Sequence, residues 1–262
     1  MKLELIHEGP KCQPHATPLL FIHGKWHAAW CWAEHFLPYF AEHGYISYAM
    51  SLRGHGGSEG GERLRWASIA DYAADVAQVA GQMDRPPVLI GHSMGGFVVQ
   101  KYLETHTTPA AALLASLPPS GLWPALWQVF RRHPGVILET LFTLRFYPVV
   151  KTPALARESF FSADMPAEQV AAYHQRLGDE SFRAGMDELG LNLIRPKRVK
   201  TPLLVIGAQN DSVILPKYVH ATARTYGTQA VIFPNLTHDV MLEAGWKSVA
   251  DCILEFLKER GI

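Results

Sequence analysis

Pro87-Val88-Leu89-Ile90-Gly91-His92-Ser93-Met94-Gly95-Gly96-Phe97-Val98-Val99-Gln100-Lys101-Tyr102-Leu103 is the stretch on which the fold turns. Its first four residues form a short apolar run of the kind that makes a fully buried strand, and Gly96 to Leu103 reads as a helix. Between them stands Gly91-His92-Ser93-Met94-Gly95, a G-x-S-x-G pattern. With 21 Gly and 12 Ser in 262 residues, chance supplies roughly 0.08 such matches, so the flanking strand and helix raise its value. A sharp strand-to-helix turn strains the backbone at Ser93. It needs glycine on either side, where any side chain would collide with neighbouring main chain. The turn also sets Ser93 at a helix N-terminus, where N–H groups stabilise negative charge.

The same alternation extends in both directions. Upstream, Leu19-Leu20-Phe21-Ile22 is a buried strand closed by His23-Gly24, and the spacing of aromatics predicts a helix over Trp26 to Ala41. Tyr45 to Leu52 reads as a strand, and Ser68 to Met83 as a helix. Downstream, strands are expected at Ala110 to Ala115, Pro202 to Ile206 and Ala230 to Phe233, with helices over Lys217 to Tyr226 and Trp246 to Glu259. Continuously apolar strands separated by helices imply a parallel sheet covered on both faces. Between about Leu117 and Lys200 the rhythm stops. That helix-like segment carries many large aromatics, including Trp123, Trp127 and Phe142. Inserted on the carboxyl edge of a parallel sheet, it would lie over the place where such sheets bind ligands. Residues 117–200 are therefore expected to form a helical cap, and 1–116 with 201–262 the core.

Composition narrows the function. Lys plus Arg is 24 and Asp plus Glu is 24, so the chain has no electrostatic footprint for nucleic acid or an anionic membrane. Cys12, Cys31 and Cys252 are odd in number and far apart, fitting neither a disulfide framework nor a zinc site. The acidic start, Met1 to Glu8, is unlike a signal peptide, so a cytoplasmic protein is expected. Thr105 to Phe130 has no formally charged side chain, but five Pro and Gly residues interrupt it, and no membrane span is expected there.

A serine hydroxyl needs a base, and the base an orienting acid. Of 13 histidines, His238 follows the strand Val231-Ile232-Phe233 and a short loop, and precedes the last helix, which puts it on the same sheet edge as Ser93. Asp211 follows the strand ending at Ile206-Gly207, and its loop opens on that edge too. Asp239 is its rival, but a residue adjacent to His238 is badly placed to hold that ring. The order Ser93, Asp211, His238 is the Ser, acid, His order of one particular fold. For the oxyanion, the N–H of Met94 supplies one donor, and the N–H of Lys25, after the first long strand, is expected to supply the other.

With these residues assembled, the chain resembles the α/β-hydrolase fold superfamily over nearly its whole length. The resemblance rests on His23-Gly24, Arg53-Gly54-His55-Gly56-Gly57-Ser58, the Gly91-to-Gly96 turn, Asp211 and His238. His23 to Trp32 is similar to plant methylesterases and hydroxynitrile lyases, and Arg53 to Ser58 to bacterial esterases and monoacylglycerol lipases. Those families commonly have a small or apolar residue where Lys25 stands. The donor is main chain, so the difference bears on substrate polarity. Haloalkane dehalogenases and epoxide hydrolases place aspartate at the Ser93 position and are disfavoured.

The expectation is an α/β-hydrolase fold, with a mostly parallel central sheet, helices on both faces and a helical cap insertion. Its function would be hydrolysis of a small-molecule carboxylic ester with a hydrophobic portion, through an acyl-enzyme, with Trp26, Trp123, Trp127 and Phe142 contacting substrate. No metal or organic cofactor and no nucleic-acid partner is expected. Two other functions share the pattern. One is a hydroxynitrile-type carbon–carbon lyase, with Lys151 or Lys197 binding a small anion; the other is a ligand receptor with negligible turnover.

Overall fold

The apolar runs pair into one seven-stranded sheet: β1 Leu5–Glu8, β2 Leu19–Ile22, β3 Ser47–Met50, β4 Val88–His92, β5 Ala111–Leu114, β6 Leu203–Ala208 and β7 Ala230–Phe233. In the computed structural model, which describes residues 1–262 apart from the side chain of Pro124, their spatial order is β1-β3-β2-β4-β5-β6-β7. Only β1 is antiparallel. It is an edge strand of four residues with no long apolar run, so hydrophobic patterning does not announce it.

Side chains alternate across a strand, and here both faces are covered. Leu19 and Phe21 of β2 join Ile90, Leu114 and Ile206 on one face, whereas Leu20 and Ile22 join Leu89, Leu113 and Val205 on the other. Helices α1 Trp30–Ala33 and α2 Phe36–Glu42 pack on the first face. Helices α3 Ile69–Ala80 and α4 Met94–Tyr102 pack on the second. Ser68 starts α3 with a capping box, its side chain accepting from the Asp71 N–H while Asp71 accepts from the Ser68 N–H.

The helix expected over Trp26 to Ala41 is broken into α1 and α2. Pro38 has no N–H to give the Glu34 carbonyl, and Trp26 has a φ of 64°, outside the helical region. Between β5 and β6 lies a helical insertion: α5 Trp123–Arg132, α6 Pro134–Thr143, α7 Pro153–Phe160, α8 Ala167–His174, α9 Phe182–Met186, and a turn over Asp187–Leu191 kinked at Gly190, where φ is 142°. The core closes with α10 Pro216–Thr225 and α11 Trp246–Lys258. Among the described residues no helix is long and apolar enough to cross a membrane.

Register decides where the chemistry goes. Ile22 pairs with Gly91, His92 with Leu114, Leu114 with Ile206, and Ala208 with Phe233. The segments leaving β2, β4, β5, β6 and β7 therefore emerge side by side at one edge. They carry Lys25, Ser93, the helical insertion, Asp211 and His238 respectively.

Candidate active site

Ser93 stands between β4 and α4 with φ 52° and ψ −118°, a conformation that costs a non-glycine residue about 1–3 kcal/mol. The flanking glycines make the turn possible. A methyl group on Gly91 would come 2.6 Å from the Gly95 carbonyl oxygen, and one on Gly95 would come 2.4 Å from those of Ile22 and His23. Gly24 presses on the serine from the β2 side, where a methyl group would lie 3.0 Å from Ser93 Cβ. Met94 is the first residue of α4, so its N–H has no intrahelical partner.

Three segments, distant in the chain, meet at this turn. Ser93 Oγ is 2.9 Å from His238 Nε2, and His238 Nδ1 is 2.8 Å from Asp211 Oδ2. A carboxylate only accepts, so Nδ1–H donates to Asp211 and Nε2 is left to accept from the serine hydroxyl. The second oxygen of Asp211 accepts from the N–H groups of Val213 at 2.7 Å and Ile214 at 2.8 Å, which fixes the carboxylate. All three side chains are buried. Burial works against a charge on His238, but the charge and hydrogen bond of Asp211, with Asp239 beyond, outweigh it. The imidazole pKa is held above its ordinary 6.5.

The neighbouring histidines have other tasks. His92 Nε2–H donates to the His238 carbonyl at 3.0 Å. Burial and the nearby His238 push its pKa down to about 3, so it stays neutral. His23 Nε2 accepts from the Leu52 N–H at 3.0 Å, and burial keeps it neutral as well. His92, His238 and Asp239 offer ligand atoms within 4.8 Å of one another. Both nitrogens of His238 are already engaged, which leaves two free ligands, fewer than a metal site needs. The Arg53-to-Ser58 loop is a brace: Arg53 grips Asp75 through Nε and Nη2, and His55 faces Glu180 of the helical insertion at 3.3 Å.

Lys25 is buried. Its Nζ lies 2.9 Å from Glu188 Oε2 in the turn over Asp187–Leu191 and 3.5 Å from Met94 Sδ. No sequence motif marks Glu188, so reading the chain did not find it. Trp26, in the same loop, has its ring centroid 5.5 Å from that of Phe160, which in turn stacks 6.1 Å from the His238 ring. Phe160 was also missed, being one apolar residue among many.

The other expected substrate contacts, Trp123, Trp127 and Phe142, face solvent, at 61%, 57% and 92% exposed. Helical periodicity reveals an apolar stripe but not the direction in which it faces. Lys151 pairs with Glu139 on the surface, and Lys197 is exposed. Neither reaches the site; the lysine that does is Lys25.

A serine, an acid and a histidine, in that chain order, on the carboxyl edge of a mostly parallel sheet, define the class of α/β hydrolases. The chain belongs to the alpha/beta hydrolase family, whose sequence profile matches residues 19–251. It is 26% identical over 243 residues to a monoacylglycerol lipase of Mycolicibacterium smegmatis, covering 86% of this chain and 82% of that one. It is 27% identical over 233 residues to a non-heme chloroperoxidase of Burkholderia pyrrocinia, covering 79% and 77%. The solved monoacylglycerol lipase of Paleococcus ferrophilus superposes with a TM-score of 0.73 at 18% identity, over 99% of this chain and all (100%) of that one.

Proposed function

We propose that the protein is a serine hydrolase that cleaves carboxylic esters through an acyl-enzyme. The observation that carries this reading is the hydrogen-bonded line from Ser93 Oγ through His238 to Asp211, at 2.9 and 2.8 Å. The lipase among its relatives points the same way. His238 Nε2 takes the serine proton as Oγ bonds to the ester carbonyl carbon, and the carbonyl oxygen becomes an oxyanion. The N–H groups of Met94 and Lys25 hold that charge, and losing one such donor costs roughly 3 kcal/mol in the transition state. His238 then protonates the departing alcohol. Water, deprotonated by the same nitrogen, cleaves the acyl-enzyme and restores the serine.

Phe160 and Trp26 beside His238 favour an apolar group on the substrate, worth about 0.8 kcal/mol per buried methylene. In this reading residues 117–200 act as the lid over the site, from which Phe160 reaches in.

The test is turnover of p-nitrophenyl esters of graded chain length, with fluorophosphonate labelling, for the wild type and Ser93→Ala. Turnover and labelling confined to the wild type are expected. Equal labelling in the two proteins would overturn the assignment of Ser93. Cyanide release from a cyanohydrin without ester turnover would indicate the lyase, and ligand-induced stabilisation without turnover the receptor.

A further inference from the structure

Lys25 extends its side chain to Glu188, in the segment between β5 and β6 that the proposed function reads as the lid. The pair it forms with Glu188 is almost wholly buried, with the side chains 5% and 0% exposed. The ammonium also touches Met94 Sδ and lies 5.3 Å from the centroid of the Phe146 ring. The next residue, Trp26, has a φ of 64°, a strained conformation that persists only where the surroundings over-determine it. Those surroundings are again the cap. The Gly178 N–H donates to the Trp26 carbonyl at 2.8 Å, and Trp26 Nε1–H donates to the Phe146 carbonyl at 3.2 Å.

Glu188 is itself rigidly seated. Its carbonyl accepts from the Leu122 N–H at 3.0 Å. It also lies so close to Gly121 that a methyl group there would come within 1.9 Å of the carbonyl oxygen. Asp187, beside it, accepts from the Ile69 N–H at 3.0 Å and so pins the turn to the start of α3. The turn is kinked at Gly190, whose φ of 142° lies outside the helical region. Here it presents a carboxylate to the one buried lysine next to Ser93.

We propose that Glu188 is a positioning residue for the oxyanion loop: through its buried ion pair with Lys25 it holds the Lys25 N–H against Ser93 only while the cap is seated. The idea rests on the esterase reading, in which that N–H is a donor. Chemically, it makes seating of the cap a condition of transition-state stabilisation, so an unseated cap leaves Ser93 with one donor where two are needed.

Glu188 also titrates. Burial raises the Glu188 carboxyl to about 7, the charge of Lys25 opposes this, and Glu180 and Asp187 reinforce it. The groups facing Glu188 are Lys25 from the β2 loop, Tyr72 from α3, and Glu180 and Asp187 from the cap; beyond them His55 faces Glu180 and Arg183 faces Asp187. Neither carboxylate oxygen of Glu188 has a well-aligned donor among the described residues, so the tie depends on charge. It weakens as pH falls through about 7 and Glu188 takes up a proton.

The experiment is a double-mutant cycle of Glu188→Gln and Lys25→Met, read as kcat and KM on p-nitrophenyl acetate from pH 5 to 9. Each single variant is expected to lose about ten- to a hundredfold in kcat with KM within about threefold, and the double variant no more than the worse single one. The wild-type acid limb contains two protonations, at His238 and Glu188; in Glu188→Gln it becomes shallower. A folded single variant with kcat within threefold of wild type, strictly additive losses, or an unchanged acid limb would each overturn the proposal while the esterase reading stands. If Glu188→Gln does not fold, Glu188→Asp and Lys25→Met carry the test: the aspartate variant is expected to keep the two-proton limb with reduced kcat. If the wild type neither turns over esters nor labels, the esterase reading fails. The tie is then judged by hydrogen exchange over residues 24–27, which is expected to quicken in Glu188→Gln and refutes the tie if unchanged.

Discussion

Asp239 Oδ2 stands 3.0 Å from His27 Nε2, although its chain neighbour is His238, whose two ring nitrogens are taken by Ser93 and Asp211. Burial works against a charge on Asp239, but His27, with His92 and His238 nearby, outweighs it and holds the carboxyl below its usual range. Two buried acids thus lie near one imidazole, and they differ in what they hold.

That difference is measurable. Asp211→Asn is expected to lower kcat by about 10³–10⁴, because the amide no longer enforces the tautomer that leaves Nε2 free to accept. Asp239→Asn, acting on His27, is expected to cost less than about tenfold in kcat and about 1–3 kcal/mol of stability on urea unfolding. The reverse ranking in esterase assays would move the orienting role to Asp239.

The pH dependence follows from the raised pKa of His238. In the proposed mechanism the neutral imidazole is the base, so kcat/KM is expected to fall as pH drops through a value above 6.5. In Asp211→Asn burial dominates, and the midpoint of this limb is expected to move down. The stability effect has the opposite sense. A raised native pKa contributes stability that is complete below 6.5 and lost as pH rises through the native value. Asp211→Asn should therefore destabilise more at pH 6 than at pH 9. Glu188 titrates in both proteins and cancels from the comparison. Equal losses at the two pH values would show that the charges of Asp211 and His238 are not coupled.

Backbone strain at Ser93 gives a prediction independent of activity. Glycine accepts φ 52° and ψ −118° without penalty, whereas alanine does not. Ser93→Gly is expected to be more stable than Ser93→Ala by about 1 kcal/mol in urea titrations. Both variants lack the hydroxyl, so turnover does not enter, and equal stability would argue against the strain.

Two glycine substitutions should have opposite signs. On Gly95 a methyl group meets the backbone oxygens of Ile22 and His23 at 2.4 Å, and neither can move without parting β2 from β4. Gly95→Ala is expected to cost about 3 kcal/mol or more, or to prevent folding. Gly135, in α6, has nothing within 4 Å of an added methyl group, so Gly135→Ala is expected to stabilise by about 0.5 kcal/mol. Thermal unfolding of the two variants against wild type checks the pair.

Much was legible in the chain by itself. The buried strands, the turn at Ser93 and its need for Gly91 and Gly95, and the arrival of Asp211 and His238 just after strands follow from short-range rules of periodicity, turn sterics and strand-to-helix order. Those rules act within about ten residues and leave a direct mark on composition. Only the tertiary structure decided that β1 pairs antiparallel with β3, that Asp239 serves His27, that Trp123, Trp127 and Phe142 look outward, and that Glu188 meets Lys25. Such partnerships join residues up to 212 positions apart, as in Asp239 and His27 or Glu188 and Lys25. They depend on sheet register and on how the helical insertion packs, and no local pattern encodes the direction in which a buried carboxylate will point.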